Sequence, residues 1–418
     1  MKNNDRAIAN NVNEIVIPLY LLAFIVIGLF QQSPKEILQG LFEIFTHPGM
    51  LITDYMVIGG VGAALINGAL VGLVGYGILK LNKVPMNGPS IATIFTMVGF
   101  GLFGKNVWSI LPVILGVRLF CLIRGQSFRG HVYPALFGTA LAPMVTQVVF
   151  GYEWRIVTGI IVGILSGMII PPLANHLLIV HEGYNLYNVG FTAGFVGLLF
   201  INIFRNYGHD SVIMEIWGTG LNSILRRVFV PMFLSMIIFG IILTKGKLKE
   251  YLKVLKHPGI LISDYVNMYG FGYTLINMGL VGLIGSVYIE LVGGVYNGPT
   301  VGGLLTMTGF AAFGKHPANI TPIMLGVWLG TKSNLLPYSV MPANAPGALL
   351  AALFSTTLAP LAGNFGPIVG ILAGFVHLTV VSNVGILHGG LNLYNNGFAG
   401  GLVAMFFVAI IKDLKKGR

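Results

Sequence analysis

The amino-acid sequence predicts an all-α, polytopic membrane protein with two inverted-topology repeats and re-entrant or half-helices around a central pathway. Three observations support this fold class. The composition is strongly apolar, the chain repeats itself at an interval of about 210 residues, and one short apolar segment in each repeat follows an Asn-Gly-Pro sequence. Because such a chain exposes apolar surface, we expect the lipid bilayer to be its principal partner.

The composition excludes an ordinary soluble enzyme. Of 418 residues, 55% are apolar and 9% are charged, and the mean hydropathy is +0.83, whereas soluble domains carry roughly 25% charged residues. The 58 glycines are scattered within apolar runs, as in membrane helices that approach one another closely. The net charge of +11 comes from basic residues in short loops, so we expect no nucleic-acid partner.

The cysteine count and the first apolar run also limit the alternatives. The single cysteine, Cys121, excludes an intrachain disulfide and a zinc cluster. The run over 15–30 lacks a small-residue cleavage site, so we expect it to be a retained first span and not a signal peptide.

An internal repeat organises the chain. His47–Gly116 aligns with His257–Gly326 without a gap and with 32 identities in 70 positions. A later stretch, HEGYNLYNVGF, recurs as HGGLNLYNNGF at an offset of 207. The chain therefore divides into two transmembrane repeats, 1–210 and 211–418, which we expect to form one membrane domain with pseudo-two-fold symmetry.

Each repeat contains seven apolar segments, and one of them is too short to cross a bilayer. A membrane-spanning helix needs about 20 apolar residues, but 90–104 and its counterpart 299–314 are shorter. Asn-Gly-Pro precedes each of them and interrupts any continuous helix. We expect re-entrant or half-helices here, with ordinary short spans as the alternative. The segments of the first repeat are about 15–30, 50–79, 90–104, 107–123, 131–150, 156–180 and 186–204.

Basic residues in matching loops predict that the repeats are inverted. After the first span, one repeat has QQSPKEILQGLFEIFT and the other has KGKLKEYLKVLK with five lysines. Under the positive-inside rule, this asymmetry indicates opposite orientations. We expect a plasma-membrane protein with both termini cytoplasmic, although Arg226 and Arg227 do not fit this arrangement. The stretches 34–46 and 246–256 have amphipathic spacing and are predicted to be helices on the membrane surface.

Neutral polar and aromatic residues recur at matched positions near the broken segments. A buried amide or hydroxyl needs a hydrogen-bond partner, so we expect some of these groups to line a polar path between the repeats. For Asn67 and Asn277, hydrogen bonding between helices is the simpler interpretation. The two phenylalanines either narrow the path or belong to the core. The candidate substrate or pore residues are Asn87, Thr96, Phe100, Asn188, Asn297, Thr306, Phe310 and Asn395.

Three pairs of ionisable residues occur at matched positions in the two repeats, beside apolar segments. Such residues are candidates for ion coupling or gating. The aspartates could instead stabilise helix N-termini, and the lysines could stabilise helix C-termini. The histidines could be proton relays or hydrogen-bonded structural residues. These candidates are Asp54, Lys105, His181, Asp264, Lys315 and His388.

No motif indicates an enzyme. GFGLFG at Gly99–Gly104 has the spacing of a dinucleotide loop, and Gly99–Lys105 has that of a phosphate loop. Both lack a preceding strand, and Asn106 stands where a phosphate loop needs Ser or Thr. H-E-x-x-H and G-x-S-x-G are also absent from the sequence. We therefore expect no catalytic residue, no cofactor and no metal.

Two short motifs resemble the urea-transporter class of small-solute channels. NGALVGL at Asn67–Leu73 and NMGLVGL at Asn277–Leu283 are similar to the Asn-Gly-x-Leu-Val-Gly stretch of that family. The resemblance implies two inverted halves that pair full spans with a shorter tilted element around a pore. Over its full length, the chain resembles a family of two-repeat bacterial membrane proteins of unknown function.

These features lead to three hypotheses about function. The first is a channel or facilitator for a small polar, neutral, urea-like solute or a small ion. The second is an ion-coupled secondary transporter that works by alternating access, with Asp54 and Asp264 as ligands of the coupling ion. The third is a membrane scaffold subunit that transports nothing by itself. In each case we expect a homo-oligomer.

Overall fold

The fold is all-α in the part of the chain that the structure describes. The structure is a computed structural model that describes residues 3–211, 214–332 and 341–416. Within these ranges ten helical segments are long and apolar enough to cross a membrane, five in each half, and two of them, Phe128–Gly151 and Pro346–Phe365, are made of successive shorter helices. The same ranges contain two isolated β-bridges and no strand. The polytopic all-α prediction is thus confirmed.

The two halves contain the same helices in the same order, so that each helix of the first half corresponds to the one numbered ten higher in the second. The first half contains α1 Asn3–Gln31, α2 Pro34–Thr46, α3 Tyr55–Ile58, α4 Gly60–Leu81, α5 Gly88–Gly101, α6 Val107–Ile123, α7 Val132–Gly138, α8 Ala142–Thr146, α9 Ile156–Val180 and α10 Asn188–Asn206. The second half contains α11 Asn222–Leu243, α12 Leu252–Leu255, α13 Tyr265–Tyr269, α14 Phe271–Leu291, α15 Gly298–Gly309, α16 Pro317–Lys332, α17 Pro346–Phe354, α18 Ala359–Phe365, α19 Pro367–Val384 and α20 Asn395–Lys416.

The first two spans define the two membrane faces. Helices α1 and α4 are antiparallel, because Glu14, near the start of the apolar part of α1 at Val12–Gln31, pairs with Lys80 near the end of α4 at 2.7 Å. At the other end, Gly28 lies against Gly62. We call the face at which α1 begins the amino face. The opposite face is called the linker face, since the connection between the two halves lies there.

A short helix and its successor form a hairpin that opens to the amino face. Helix α5 begins just after Met86, whose carbonyl accepts a hydrogen bond from Asn13 at 2.6 Å, so α5 starts at the amino face. It has 14 residues, or about 21 Å at 1.5 Å per residue. Helix α6 starts beside the end of α2, where Asn106 donates to the carbonyl of Ile44 at 3.2 Å. Helix α5 is thus shorter than the roughly 30 Å of a bilayer's hydrocarbon core.

The two halves are inverted with respect to each other. Corresponding helices α1 and α11 run antiparallel, because Tyr20 contacts Ser235 at 2.9 Å while Phe24 packs on Phe229 with ring centroids 5.6 Å apart. Helices α5 and α15 also run antiparallel, as do α10 and α20. An odd number of spans per repeat produces this inversion, because the second copy then starts on the opposite face.

The two predicted surface helices differ from each other. Helix α2 forms as predicted, because Ser33 and Glu36 make a reciprocal capping box at its start. Its counterpart is broken into a 3₁₀ turn at Leu248–Tyr251 and the four-residue helix α12. Neither of these two pieces has a side-chain cap at its start. Their first backbone amide groups therefore lack a side-chain acceptor like the one that Ser33 provides for α2.

The core of the molecule surrounds the short helices α5 and α15. All residues of both helices are buried, whereas α1 and α11 expose large apolar side chains such as Leu22 and Phe239. The two helices that are too short to cross a bilayer are therefore enclosed by the rest of the protein. Broken helices are tolerated at membrane depth in such surroundings.

Candidate functional site

Each short helix begins with an asparagine that caps its N-terminus. The Asn87 side chain accepts a hydrogen bond from the Ser90 amide at 3.0 Å, and Asn297 accepts one from the Thr300 amide at the same distance. A proline follows in the first turn of each helix, where its missing amide is no loss. The Asn-Gly-Pro sequence therefore starts a new helix, separate from the preceding span.

The two short helices cross in close contact at the centre of the molecule. A Cβ atom added at Gly99 would lie 2.6 Å from the carbonyl oxygen of Gly302, and one added at Gly302 would lie 2.6 Å from that of Gly99. Any larger side chain would push the helices apart. Thr96 and Thr306 lie one turn from this crossing, and each hydroxyl donates to a carbonyl of its own helix.

An aspartate from each repeat binds the N-terminus of the other repeat's short helix. The Asp264 carboxylate accepts a hydrogen bond from the Gly88 amide at 3.0 Å, and Asp54 accepts one from the Gly298 amide at 3.2 Å. Asp54 is fully buried and also accepts from the amides of Met56 and Gly218. The aspartates thus act at helix N-termini, one of the two roles that the sequence left open.

Paired asparagines bind the opposite ends of the short helices. The Asn67 amide donates to the carbonyls of Gly101 and Lys105 at 2.6 and 3.0 Å. Asn277 makes the equivalent bonds, both at 2.7 Å, to the carbonyls of Ala311 and Lys315. Helix ends leave carbonyls without partners, so these amides stabilise the broken segments. They do not belong to the lining of the central cavity.

A cavity of about 220 Å³ lies beside the helix crossing and takes its walls from both repeats. That volume is several times the roughly 30 Å³ that one water occupies in the liquid. Five of the predicted pore residues line it, namely Thr96, Phe100, Asn188, Thr306 and Phe310. The lining contains few polar groups, as is typical of small-molecule sites.

The cavity extends to the amino face. Its lining there includes Tyr133, Leu261 and Ile262. Tyr133 donates to the Asn87 side chain at 2.9 Å, which places it beside the start of α5, and Ile262 is 79% exposed. The counterpart of Ile262 in the first repeat, Ile52, is absent from this lining.

The linker between the repeats covers the corresponding position on the linker face. The Ile216 amide donates to the carbonyl of Ile52 at 2.9 Å, and the Asp54 amide donates to the carbonyl of Ile216 at 3.0 Å. Gly218 contacts both Asp54 and Asn297. A chain with two repeats has only one such linker, so the two faces cannot be equivalent.

Aromatic rings from both repeats form the inner end of the cavity. Phe100 packs on Tyr394 with ring centroids 4.4 Å apart, and the equivalent pair Phe310 and Tyr187 is 4.6 Å apart. Each pair joins one repeat to the other, because each tyrosine comes from the opposite half of the chain. Phe354 packs on Phe100 at 5.4 Å and extends the aromatic wall. All five rings line the cavity.

Two fully buried lysines lie behind this wall. Lys105 Nζ donates to Thr139 and Tyr394 at 2.9 and 3.2 Å, and Lys315 Nζ donates to Thr356 and Tyr187 at 2.7 and 2.5 Å. Among the described residues every ion pair joins partly or fully exposed side chains, and none includes either lysine. The ammonium groups reach past their own helix ends and contact the wall of the cavity.

The paired histidines hold the turns that precede α10 and α20. His181 Nδ1 accepts from the Asn185 amide at 3.3 Å, so its Nε2 carries the proton that is donated to Asn188 Oδ1 at 2.9 Å. His388 makes the same two contacts with Asn392 and Asn395. Both rings therefore have partners at both nitrogens, which is the structural role considered from the sequence.

The structure brings some of the predicted residues together and separates others. Asn87 and Asn297 cap opposite ends of the crossed helix pair and lie outside the lining. Asn395 is bound by His388 and by the carbonyl of Val381 at 3.3 Å, and its neighbour Asn396 lines the cavity instead. The wall residues Tyr187 and Tyr394 are not among the candidates that the sequence predicts, although both belong to the recurring NLYN sequence. Tyr133, Phe137 and Phe354 gave no comparable signal.

The described residues contain no group of three or more His, Cys, Asp or Glu side chains that could hold a metal ion. Asp54 and Asp264, the candidate ligands of a coupling ion, lie at two different short helices. Their oxygens are already occupied by amide donors of the chain itself.

Comparison with known proteins identifies a family but no characterised relative. A family model described as "Protein of unknown function (DUF1576)" matches residues 33–206 and 243–413. The two ranges fall in the two halves of the chain and together cover most of it. No curated protein and no solved structure matches the chain.

Proposed function

We propose, for a chain that belongs to the DUF1576 family of proteins of unknown function, that it is a membrane transport protein. It acts as a channel or facilitator for a small polar solute, either neutral and urea-like or a small ion. The observation that carries this proposal is the cavity of about 220 Å³ enclosed by both repeats at the crossing of α5 and α15. Transporters with inverted repeats place their substrate sites at such an interface, between discontinuous helices.

The arrangement of the broken helices supports a transport role over a scaffold role. Two helices with fully buried residues end inside the protein, and paired aspartates and asparagines satisfy their termini. Irregular backbone at membrane depth is tolerated where it is buried or lines a cavity. A scaffold has no need of a central cavity, whereas a transport protein does. The similarity of NGALVGL and NMGLVGL to urea-transporter channels is a further argument for a small-solute channel.

One observation favours alternating access as the mode of transport. The cavity reaches the amino face at Ile262, while the linker segment with Ile216 covers the equivalent residue Ile52 on the other face. In an inverted-repeat protein that works by alternating access, the linker would leave Ile52 while the mouth at Ile262 closes. We therefore include a secondary transporter, coupled or uncoupled, as the second candidate.

The distribution of basic residues supports a plasma-membrane protein with its amino face in the cytoplasm. Lys80 in the last turn of α4 and Lys83 just after it lie at that face, and the five lysines after α11 lie there because α11 is antiparallel to α1. Cytoplasmic loops carry such an excess. Helix α20 is antiparallel to α10, so both termini would be cytoplasmic. A homo-oligomer is also part of the proposal.

The experiment that tests the proposal measures solute flux and the effect of a thiol reagent that is attached at the cavity mouth. The full chain with Cys121→Ala, which removes its single cysteine, is reconstituted in liposomes. Fluxes of urea, glycerol and small salts are then measured. A second variant adds Ile262→Cys at the cavity mouth, and a third adds Leu81→Cys at the same face but outside the lining. These two positions are matched, since Ile262 is 79% and Leu81 is 83% exposed.

We expect flux of at least one solute above that of empty liposomes. A bulky thiol reagent should reduce that flux severalfold for Ile262→Cys and leave it unchanged for Leu81→Cys. Accumulation against a gradient, driven by sodium or protons, would favour the coupled transporter over the channel. Absence of flux for every solute would overturn the proposal and favour a scaffold. Equal effects of the reagent at both positions would refute a pathway through the cavity mouth at Ile262.

A further inference from the structure

We propose that the transported solute is a small anion, bound by the hydroxyl groups of Tyr187 and Tyr394 in front of the ammonium groups of Lys315 and Lys105. This inference rests on the proposed transport function and names its substrate class. It arises from two lysine–tyrosine pairs that occupy equivalent positions in the two repeats and meet at one cavity wall.

The first step is the charge balance of the site. Lys105 and Lys315 are both 0% exposed, and neither forms an ion pair with a described carboxylate. A buried cation without a counter-ion is unfavourable, which is why buried charges are normally paired. The two nearby hydroxyls and the aromatic rings stabilise each ammonium only in part. An anion in the cavity would supply the missing charge.

The second step concerns Asp54 and Asp264, the acids that bind the N-termini of α15 and α5. Because the short helices are antiparallel, each aspartate lies at the end of the crossed pair from which a lysine extends, and the Asp54 backbone pairs with that of Phe103. Their oxygens accept hydrogen bonds from amide groups, and among the described residues neither aspartate forms an ion pair with a lysine. The aspartates therefore compensate helix N-termini, and the lysines at the cavity wall have no carboxylate bound to them. A protonated amine in that position attracts anions and repels cations.

The third step is the number of free donors. Each tyrosine oxygen accepts a hydrogen bond from its lysine, so its own proton is available to an acceptor. The Tyr394 proton has no acceptor among residues 3–211, 214–332 and 341–416, whereas the Tyr187 hydroxyl also lies within hydrogen-bonding reach of the Thr356 side chain. Thr139 and Thr356 give their own protons to the carbonyls of Leu136 and Leu353, both at 2.6 Å. The unused donor of Tyr394, and a Tyr187 hydroxyl that can turn from Thr356 to a ligand, match an anion with several acceptor atoms.

The size of the cavity restricts the anion to a small one. About 220 Å³ admits a monovalent anion of one to four heavy atoms together with a few waters. The few polar groups of the lining favour an anion that loses its hydration shell easily. Chloride, nitrate and formate are therefore suitable probes.

The experiment measures flux under a controlled membrane potential. The full chain is reconstituted in liposomes, and a potassium gradient with valinomycin sets the potential. Uptake of chloride, nitrate and formate is compared with uptake of urea and glycerol. Variants Lys315→Met and Tyr187→Phe remove the ammonium and the hydroxyl respectively, and Lys249→Met at an exposed surface position serves as the control. Tyr187→Phe keeps the aromatic ring, so it remains informative if Lys315→Met fails to fold.

We expect at least one of the three anions to enter faster when the interior is positive. Its flux should fall tenfold or more in Tyr187→Phe and Lys315→Met and stay unchanged in Lys249→Met. Urea flux that does not depend on the membrane potential, together with no flux of any of the three anions, would overturn the anion inference and leave the transport function intact. Anion flux unaffected by either site variant would also overturn the inference. Absence of any flux would instead refute the proposed function itself.

Discussion

The backbone amide of Gly298 donates a hydrogen bond to the carboxylate of Asp54, at 3.2 Å and across 244 residues of chain. The amide of Gly88 binds Asp264 in the same way at 3.0 Å. Each repeat therefore stabilises the start of the other repeat's short helix. The half-helices are not independent inserts, because neither N-terminus is complete without the opposite repeat.

Replacing Asp54 by Asn should destabilise the protein more than replacing Asp264 by Asn. Asp54 is fully buried and accepts bonds from three amides, and hydrogen bonds to charged groups contribute about 1.5–3 kcal/mol each. Asp264 is partly exposed, so water can replace part of its interaction. Thermal unfolding of the purified protein in detergent measures the difference. Equal shifts for the two variants would contradict this account of the caps.

The Asn67→Ala variant should lose about 3 kcal/mol of stability. Its amide is the partner of two buried carbonyls, those of Gly101 and Lys105, and a buried group left without a partner costs about 1–3 kcal/mol. Asn202→Ala is the control, since Asn202 is exposed and bonds only within its own helix. That control should change stability by about 0.5 kcal/mol or less. Similar unfolding temperatures for both variants would refute the role assigned to Asn67.

The Gly99→Ala variant should weaken the contact between the short helices. The added methyl group would lie 2.6 Å from the Gly302 carbonyl, which is backbone and cannot rotate away. Gly77→Ala is the matched control, because Gly77 is also helical and a Cβ there meets no atom within 4 Å. We expect a loss of about 1–3 kcal/mol for Gly99→Ala and a gain of about 0.5–1 kcal/mol for Gly77→Ala. Unfolding temperatures and transport rates of the two variants provide the measurement.

Cysteines at Ile52 and Ile262 should differ in reactivity, although the two positions are equivalent in the repeats. In the Cys121→Ala background, Ile262→Cys should react at least tenfold faster with a water-soluble maleimide. Ile262 is 79% exposed at the cavity mouth, whereas Ile52 is paired with Ile216 of the linker. Reaction rates from mass spectrometry in detergent, where both faces are accessible, decide the matter. Equal rates would mean that the linker does not cover its face.

Much of the candidate site could be predicted from recurrence within the chain. Thr96, Phe100 and their counterparts were identified because they recur beside an Asn-Gly-Pro helix start, and the structure places them in one cavity lining. Tyr187 and Tyr394 recur equally well but were not singled out. A tyrosine in an apolar segment does not by itself indicate a binding site, because its contact with a lysine of the other repeat is visible only in the structure.

The sequence alone determined the class of the protein, its two repeats, their opposite orientation and the position of the short helices. These properties follow from the length of apolar runs, from loop charge and from self-similarity, which are local or additive features of a chain. Only the tertiary structure decided which residues meet. Lys315 and Tyr187 are 128 residues apart and belong to different repeats. Their pairing depends on how antiparallel helices cross in three dimensions, because a buried donor binds whichever acceptor the packing brings to it.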